Sequence, residues 1–589
     1  MSRARFDDSS AGRTQAWELT GPIGALVAWD VDAVVDVLAA AERRALDGYW
    51  VAGFVSYDAA PALVPEAPVP ERAVREAGEV REPRPVPLAW FGVFTGRREV
   101  DPLPVDVDGC APAPATCRVT EHEHAAAVAE IREAIGRGDV YQVNLTARLD
   151  QPVGADPEQV YARLVDASAA QYCAHLSFEG VDVLSISPEL FFEIDDHTIR
   201  TRPMKGTARR GRWSEEDLAM ATALEASEKD RAENVMIVDL LRNDLGRVAV
   251  VGSVQVEELL SLERYPTVWQ LTSTVSATLP SAWSLVDVFR ALFPCGSVTG
   301  APKIAAMRAI TALETSPRGV YCGTVGWIAP GRKHASFNVA IRTAVLDGSG
   351  LLTYGSGGGV TWGSSSAAEW DELQAKAEVL TRVPSTAVGL VETMRWEPGS
   401  GIELLALHLA RLQASGTRLG VPVDPVVVQN AIDGAVAGRD TGARVRLVVH
   451  PDGTLTVTSA DLAPCSPDPV RLALDGDPID PADLCWYHKT TDRERYDGRR
   501  RDAPHADDVV LLNRHGEVTE TTIASIGARI DGQWCTPPLG SGCLPGVYRR
   551  HLLDRGVLVE RAMTVDDLRD ATELAVFNAV RGWRAAVLV

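Results

Sequence analysis

The segment Glu233-Asn-Val-Met-Ile-Val-Asp-Leu-Leu-Arg-Asn-Asp244, near the middle of the chain, is typical of one long helix. The apolar positions around it are Val235, Ile237, Val238, Leu240 and Leu241. Their spacing predicts a helix over residues 227–241, with one apolar face to bury. Glu233 adds a carboxylate to this helix, so the segment is also a candidate for binding a cation.

A second helix is predicted over residues 368–380, which are rich in Ala, Glu, Lys and Leu. It carries Glu369 and Glu372, and a spacing of three places both carboxylates on one helix face. Carboxylates from two helices could share Mg²⁺, which binds a few carboxylates and completes its coordination with water and substrate oxygens. A solvated acidic surface is the alternative interpretation.

Two further segments are candidates for binding an anion. Residues 355–359, Gly-Ser-Gly-Gly-Gly, could let backbone amides approach a negative charge, although the run alone favours a flexible turn. Lys205 lies between Pro203 and Gly206, in a context typical of a turn. Beside other cations or apolar groups its amine would lose a proton more readily and become a nucleophile. An ordinary surface lysine is the alternative.

Helices and strands are predicted on both sides of a break in the chain. Further helices are expected over residues 122–136 and 406–419, and strands over 50–57, 88–94, 141–149, 181–186 and 190–194. A long helix ends at a proline in Arg382-Val-Pro-Ser-Thr386, which places a domain join near 382–386. The order of the elements favours an α+β fold, with domains at 1–383 and 384–589.

Composition narrows the class of protein. The 589 residues are 46% hydrophobic and 23% charged, which is typical of globular domains. With 80 acidic against 58 basic residues the net charge is -22, which argues against nucleic acid and anionic membranes as partners. An anionic substrate would need a locally basic pocket or a bound metal.

The cysteines and the start of the sequence bear on the compartment. Nine cysteines without a Cys-x-x-Cys pair argue against a disulfide framework or a zinc site and favour a reducing cytoplasm. The first residues lack an apolar signal core, and Asp30, Asp32 and Asp36 interrupt the apolar stretch 24–41. We therefore expect neither secretion nor membrane insertion.

A set of motifs occurs in order along the first domain. They are Ser187-Pro-Glu-Leu-Phe191, Arg202-Pro-Met-Lys-Gly-Thr207, the 233–244 segment, Pro294-Cys-Gly-Ser-Val-Thr-Gly-Ala-Pro-Lys303, Tyr321-Cys-Gly323, Ala340-Ile-Arg-Thr343, Gly357-Gly-Gly-Val360 and Glu369-Trp-Asp-Glu372. Together they resemble the chorismate-utilising enzymes, which include anthranilate, aminodeoxychorismate, isochorismate and salicylate synthases. The resemblance covers about residues 120–382. It implies a large domain of β-sandwich and helices, like component I of anthranilate synthase.

The resemblance also implies roles for single residues. Lysine at position 205 is typical of the aminodeoxychorismate branch, where the anthranilate branch has alanine. Lys205 would attack chorismate at C2 as the C4 hydroxyl leaves, and ammonia would then displace it at C4. Glu189 would be the general acid, and Glu233, Glu369 and Glu372 would hold Mg²⁺. The implied substrate contacts are Thr207, Thr299, Gly300, Tyr321, Arg342, Gly357, Gly358 and Lys376.

Ammonia requires a source outside this sequence. No Gly-x-Cys-x-Gly nucleophile motif occurs, so the resemblance implies a separate glutamine amidotransferase subunit as partner. Anthranilate synthesis, as by component I of that enzyme, is the alternative activity. Lys205 argues against it.

The second domain carries three groups that pyridoxal phosphate chemistry requires. They are Lys489 in Trp486-Tyr-His-Lys-Thr-Thr-Asp-Arg493, Glu520, and Arg411 on the helix 406–419. A lysine can bind the cofactor covalently, an acid can pair with its pyridine nitrogen, and an arginine can bind its phosphate. Surface positions are the alternative for all three.

The order of these residues resembles the class IV pyridoxal-phosphate enzymes, which include branched-chain and D-amino-acid aminotransferases and aminodeoxychorismate lyase. Further matching pieces are Leu390-Val-Glu-Thr-Met-Arg395, Thr536-Pro-Pro-Leu539, Ser541-Gly-Cys-Leu-Pro-Gly-Val-Tyr-Arg549 and Phe577-Asn-Ala-Val-Arg-Gly582. The resemblance implies that Lys489 binds the cofactor, Glu520 contacts its ring nitrogen, and Arg411 with the Val547 and Tyr548 amides binds phosphate. Arg581 would bind the substrate carboxylate.

The two resemblances together imply one reaction sequence. Chorismate would be aminated to 4-amino-4-deoxychorismate, and a lyase would remove pyruvate to leave 4-aminobenzoate for folate. A transaminase in the second domain would share no intermediate with the first. A second domain that is an inactive scaffold for the amidotransferase is the remaining alternative.

Overall fold

The computed structural model describes residues 2–9, 15–68, 86–105, 112–168, 170–265, 268–382 and 388–589. They form two compact units of mixed helix and sheet, which confirms the predicted α+β class. The first unit contains Met1–Arg209 and Ala221–Pro384, and the second contains Arg210–Met220 and Ser385–Val589. Within the described ranges, no helix is both long enough and apolar enough to cross a membrane.

Strands dominate the first unit. They are β1 (Arg3–Asp8), β2 (Gln15–Ala28), β3 (Trp50–Val55), β4 (Ala89–Val100), β5 (Thr116–Cys117), β6 (Gln142–Pro152), β7 (Tyr172–Phe178), β8 (Val181–Ser187), β9 (Leu190–Asp195), β10 (Thr198–Arg202), β11 (Met204–Arg209), β12 (Gln255–Arg264), β13 (Val268–Thr278), β14 (Gly300–Ala301), β15 (Thr324–Ile328), β16 (His334–Val339), β17 (Thr343–Leu346) and β18 (Leu351–Val360). All of their pairings are antiparallel, and they join the eighteen strands into one hydrogen-bonded network.

Helices cover parts of this network. Those before residue 380 are α1 (Val31–Leu46), α2 (Ala60–Leu63), α3 (Glu121–Arg137), α4 (Pro157–Ser168), α5 (Ser214–Ala226), α6 (Glu228–Gly246), α7 (Leu285–Leu292), α8 (Lys303–Leu313) and α9 (Ser366–Ala377). The predicted helix over residues 227–241 is confirmed as α6, which begins after Ser227 because that side chain accepts a hydrogen bond from the Asp230 amide. The predicted helix over 368–380 is α9 followed by one 3₁₀ turn.

The run 355–359 is part of a strand, so the flexible turn that the run alone favoured is wrong. β18 pairs with β6 over ten residues, with Gly357 opposite Thr146 and Gly358 opposite Leu145. A methyl group on Gly357 would lie 2.1 Å from the Leu145 carbonyl oxygen. The two backbones approach so closely that only glycine fits at this position.

The second unit contains two sheets. Its strands are β19 (Leu390–Glu397), β20 (Gly401–Ile402), β21 (Ala443–Val449), β22 (Leu455–Asp461), β23 (Val470–Leu474), β24 (Asp508–Leu512), β25 (Val518–Thr521), β26 (Ser525–Ile530), β27 (Gln533–Thr536), β28 (Val559–Glu560), β29 (Leu574–Asn578) and β30 (Gly582–Leu588). Its further helices are α10 (Leu405–Leu419), α11 (Pro425–Val436), α12 (Glu494–Asp502), α13 (Val547–Asp554) and α14 (Val565–Asp570).

Each sheet has its own apolar core. The four-stranded sheet, in the order β20-β19-β21-β22, shares a core with α10 and α11 that includes Met394, Leu412 and Ile432. The eight-stranded sheet, in the order β25-β24-β23-β30-β29-β26-β27-β28, is mixed, because β23 runs parallel to both β24 and β30. Lys489 lies between β23 and β24 of the eight-stranded sheet, and its neighbour Thr490 forms an isolated bridge with Leu390 of β19.

Residues 210–220 belong to the second unit, although the sequence analysis placed them in the first domain. The Trp213 ring stacks on Tyr487 with 5.2 Å between ring centroids. Arg212 donates hydrogen bonds to the Tyr487 hydroxyl (3.0 Å) and to the Pro481 carbonyl (2.9 Å). Because these contacts join residues that are far apart in the sequence, no local pattern of apolar residues indicates them. The predicted join at 382–386 lies, apart from Arg382, outside the described residues.

The close approach of β18 to β6 makes a stability prediction. Replacing Gly357→Ala forces a methyl group against the Leu145 carbonyl, so we expect a loss of about 2 kcal/mol in the free energy of unfolding. Thermal unfolding followed by circular dichroism measures the loss. Gly363→Ala is the matched control, because a methyl group there meets no atom within 4 Å. Equal unfolding midpoints for the two variants would contradict the close-packing argument.

Candidate active sites of the two units

Lys205 lies on β11, and its backbone carbonyl accepts a hydrogen bond from a residue of α6. The Asn234 side chain donates hydrogen bonds to the carbonyls of Lys205 (3.3 Å) and Leu271 (3.2 Å). Ser273 in turn donates to the Asn234 amide oxygen (2.6 Å), which fixes the orientation of that side chain. Burial lowers the pKa of the Lys205 amine, and the charge of Glu233 opposes the shift. A larger share of neutral amine follows, as a nucleophile requires.

Glu189 is a buried acid in the same region of the first unit. It lies between β8 and β9, and only 3% of the residue is exposed. Burial raises the pKa of Glu189 to about 7, while a hydrogen bond from Ser297 and the charge of Lys205 act in the opposite direction. Its Oε1 atom has no hydrogen-bond partner among the described residues. A carboxyl group of this kind can be protonated at neutral pH and donate a proton.

The glycines of β18 bring several predicted side chains together. A methyl group on Gly359 would lie 3.0 Å from Lys205 Nζ and 2.1 Å from Gln142 Nε2. A methyl group on Gly358 would lie 3.2 Å from Glu372 Oε1. Because these two positions carry no side chain, the Lys205 amine, the Gln142 amide and the Glu372 carboxylate can approach the strand closely.

Two of the three predicted magnesium ligands converge. Glu369 Oε2 and Glu372 Oε1 lie 3.3 Å and 3.2 Å from the same point, the Cβ position that Gly358 lacks. Burial raises the pKa of Glu369, and the neighbouring charge of Glu372 adds to the shift. Such crowding of carboxylates suits a cation.

The third predicted ligand, Glu233, has an ion-pair partner on its own helix. Glu233 forms an ion pair with Lys229, with 3.9 Å between Nζ and Oε1. Across the described ranges, no group of three His, Cys, Asp or Glu side chains is placed to hold a metal ion. Glu369 and Glu372 fit Mg²⁺ as a pair of carboxylate ligands.

Three predicted substrate contacts lie next to the paired strands β6 and β18. Thr299 is fully buried and its hydroxyl donates to the carbonyls of Cys295 and Gly296. Gly300 pairs with Val143 of β6. Tyr321 packs so tightly that a methyl group on Gly355 would lie 2.3 Å from its ring. Each of the three therefore contacts either β6 or β18.

The remaining predicted contacts have different surroundings. Lys376 donates to Glu372 (2.6 Å) and to the Gly357 carbonyl (2.9 Å), which ties α9 to β18. Arg342 has a left-handed backbone with φ of 48°. Burial raises the pKa of Tyr354, and the charge of Arg342 opposes this shift. Thr207 is exposed and pairs with Gln270 of β13. Of these, the structure brings Lys376 next to the carboxylate pair.

Gln142 and Asn234 are site residues that the sequence analysis missed. Gln142 is 1% exposed, and its Oε1 atom has no hydrogen-bond partner among the described residues although its amide nitrogen lies close to Lys205. Both residues are amides at buried positions: Gln142 lies between Tyr141 and Val143, and Asn234 lies on the face of α6 that also buries Ile237 and Val238. An uncharged polar residue inside an apolar pattern was the available signal.

In the second unit Lys489 and Glu520 are both largely buried. Burial lowers the pKa of Lys489 to about 8, and the charge of Arg411 adds to the shift. Burial raises the pKa of Glu520 to about 7, and Tyr496 donates a hydrogen bond to its Oε1 atom (2.9 Å). An amine that loses its proton readily and a buried acid match the lysine and the ring-nitrogen partner of pyridoxal phosphate.

Arg411 is held in place by a buried carboxylate. Its Nε and Nη2 atoms donate to Glu392 (2.8 and 2.6 Å), and Nη1 donates to the Pro545 carbonyl (3.3 Å). Although burial opposes it, the charge of Arg411 lowers the pKa of Glu392 to about 2. His408 contacts the same carboxylate at 2.6 Å.

Arg411 therefore lies beside the start of α13, where the Val547 and Tyr548 amides point out of the first helical turn. A methyl group on Gly546, just before that helix, would lie 2.7 Å from the Ser525 hydroxyl. A guanidinium, a hydroxyl and helix amides together form a cradle that fits a phosphate. The residues of this unit thus fit pyridoxal phosphate.

Arg581, the predicted carboxylate-binding residue, contacts the segment 463–465 of the second unit. Its Nη1 atom donates to the Ala463 carbonyl and contacts the Cys465 sulfur at 3.4 Å. Its backbone amide donates to Asn578 (2.9 Å). Nothing in the described contacts joins Arg581 to Lys489 or Glu520.

Comparison with known proteins identifies both halves. Residues 109–382 match the family described as chorismate binding enzyme, and residues 389–589 match amino-transferase class IV. Aminodeoxychorismate synthase of Streptomyces griseus is 42% identical over 49% of this chain and 40% of its own length. Aminodeoxychorismate synthase component 1 of Bacillus subtilis is 40% identical over 45% of this chain and 56% of its own length.

A solved structure extends the match at the level of the fold. Anthranilate synthase component I from Streptococcus pneumoniae is 25% identical, with a TM-score of 0.53, and the match covers 62% of this chain and 92% of that chain. The alignments span about half the length of the curated relatives. The chain joins a domain of the chorismate binding enzyme family to a domain of the amino-transferase class IV family.

Proposed function

We propose that this protein makes 4-aminobenzoate from chorismate in two steps, one in each unit. The first unit would replace the C4 hydroxyl of chorismate with an amino group to give 4-amino-4-deoxychorismate. The second would remove pyruvate from that product, which makes the ring aromatic. The observation that carries the proposal is the pairing of a buried amine and a buried acid with shifted pKa values in each unit.

In the first step Lys205 would act as the nucleophile. The amine would form a bond to C2 of chorismate, the two conjugated ring double bonds would both shift, and the C4 hydroxyl would leave with a proton from Glu189. Ammonia would then form the bond at C4 as the lysine leaves C2. The lowered pKa of Lys205 and the pKa of about 7 at Glu189 support these two roles at neutral pH.

Magnesium would bind at Glu369 and Glu372, with Glu233 as a further candidate ligand. When bound, Mg²⁺ would supply positive charge for a substrate carboxylate. The ammonia would come from a glutamine amidotransferase partner, which the names of the relatives as component 1 support. Chorismate is the substrate that the family description supports.

In the second step the residues of the class IV unit would hold pyridoxal phosphate. Lys489 would bind the cofactor and move a proton, Glu520 would contact its ring nitrogen, and Arg411 with the α13 amides would bind its phosphate. When bound, the cofactor would supply an electron sink for removing the ring proton. The site would operate within the cytoplasm, in keeping with the free cysteines.

Anthranilate synthesis is the second candidate activity, since a solved relative carries that name. It would place nitrogen at C2 and would not require an amine at position 205. The Lys205 amine, which lies close to the Gly359 backbone, favours the C4 product.

Removing the Lys205 amine tests the first step. In Lys205→Ala we expect the rate of aminodeoxychorismate formation from chorismate, Mg²⁺ and ammonium to fall by more than about a hundredfold, because the nucleophile is absent. Product analysis by chromatography measures the rate. Lys333→Ala, which removes an exposed lysine of the same unit, is the control. Wild-type rates in Lys205→Ala would refute the covalent step.

The raised pKa of Glu189 predicts that the rate of the first step depends on pH. A general acid must be protonated, and with a pKa of about 7 its protonated fraction falls as the pH rises through 7. We expect kcat/KM for chorismate, measured at constant free ammonia, to fall above about pH 7, which gives the pH profile a descending limb. In Glu189→Gln the limb should disappear and the rate should be low throughout. An unchanged limb in the variant would assign it to another group.

The second step is tested through Lys489. We expect Lys489→Ala to lose the visible absorbance of lysine-bound pyridoxal phosphate and to accumulate aminodeoxychorismate without releasing pyruvate. Pyruvate is measured with a coupled dehydrogenase assay, and formation of aminodeoxychorismate by the same preparation shows that the first unit is intact. If wild type binds no pyridoxal phosphate, the class IV unit is a scaffold instead.

A further inference from the structure

Arg493 lies four residues after Lys489 and is fixed by three contacts within the second unit. Its Nη2 atom donates to the Thr522 carbonyl (2.9 Å) and to Asp497 (3.3 Å). Its guanidinium carbon lies 4.8 Å from the centroid of the Tyr496 ring. The side chain is 27% exposed, so it is partly open to a ligand while its position is restrained.

The same contacts place Arg493 next to the proposed cofactor residues. Tyr496, under the guanidinium, donates its hydroxyl hydrogen bond to Glu520, and Thr522 follows Glu520 by two residues. Beyond burial, the charge of Arg493 adds to the lowered pKa of Lys489 and opposes the raised pKa of Glu520. The guanidinium is therefore close to both groups that would act on the substrate.

Two edges of this guanidinium remain available. Within the described part of the chain, its Nε and Nη1 atoms form no hydrogen bond. Arg411 differs, since its Nε and Nη2 atoms are both committed to Glu392. Arg581 differs as well, because it contacts the 463–465 segment. A fixed guanidinium with free N–H groups is suited to binding a carboxylate.

We propose that Arg493 binds a carboxylate of the ring substrate and holds it against Lys489. The inference rests on the proposed lyase function of the class IV unit and names its substrate-positioning residue. The substrate of that step, 4-amino-4-deoxychorismate, carries one carboxylate on the ring and one on the enolpyruvyl group. Arg493 thereby takes the role that the sequence pattern suggested for Arg581.

The test is steady-state kinetics of pyruvate release from 4-amino-4-deoxychorismate by the full-length holoenzyme. In Arg493→Gln we expect KM to rise about ten- to a hundredfold, because a charged hydrogen bond to the substrate is lost. The visible absorbance of bound pyridoxal phosphate should remain, and Arg493→Lys should recover part of the affinity. Arg495→Gln is the matched control, since Arg495 pairs with Asp483 and Asp492 on the surface.

Several results would overturn the inference. An unchanged KM in Arg493→Gln would do so, as would a rise in KM for Arg581→Gln alone. Equal loss of bound cofactor in Arg493→Gln and Arg493→Lys would assign the residue a structural role. If wild type releases no pyruvate, the lyase proposal itself fails. An active wild type with an unaffected Arg493 variant refutes only the present inference.

Inhibition by the product identifies the carboxylate. 4-Aminobenzoate keeps the ring carboxylate and lacks the enolpyruvyl one. Weaker inhibition of Arg493→Gln than of wild type supports contact with the ring carboxylate. Equal inhibition, together with the raised KM, supports contact with the enolpyruvyl carboxylate.

Discussion

The pairing of β18 with β6 brings two backbones so close together at Gly357 that a side chain has no room there, and the neighbouring glycines of β18 are packed against side chains of the candidate site. This constraint forms the candidate site of the first unit. Because Gly355, Gly358 and Gly359 carry no side chains, the Lys205 amine and the Glu372 carboxylate approach the strand closely, and Tyr321 packs against Gly355. The strand positions the reacting groups because it contributes only backbone at these points. The rest of the large sheet keeps β6 and β18 in register.

Both units use burial to tune an amine and an acid. Burial disfavours the charged form of any group, so it lowers the pKa of Lys205 and Lys489 and raises that of Glu189 and Glu520. Each unit thus gains an amine that is easily neutral and an acid that can hold its proton near neutral pH. The net charge of -22 does not oppose an anionic substrate here, because some of the acidic side chains form a pair suited to a cation.

Much of the fold could be predicted from the sequence, because the long helices and several strands have clear periodicity. α6 and α9 lie where their patterns place them. The strand at 355–359 could not be predicted, since glycine runs usually mark turns and only the partner strand reveals the close packing. Trp213 joins the second unit through contacts with residues far away in the sequence. For the same reason Arg493 could be proposed as a site residue only once its neighbours were known.

The central claim is that the Lys205 amine forms a covalent bond to the substrate. The most direct measurement is mass spectrometry of peptides from protein incubated with chorismate and Mg²⁺ in the absence of ammonia, after rapid acid quenching. The account predicts a peptide containing Lys205 whose mass is increased by chorismate minus one water, and the loss of this species when ammonium is added. An unmodified Lys205 peptide, with anthranilate as the product once ammonium is present, would contradict it.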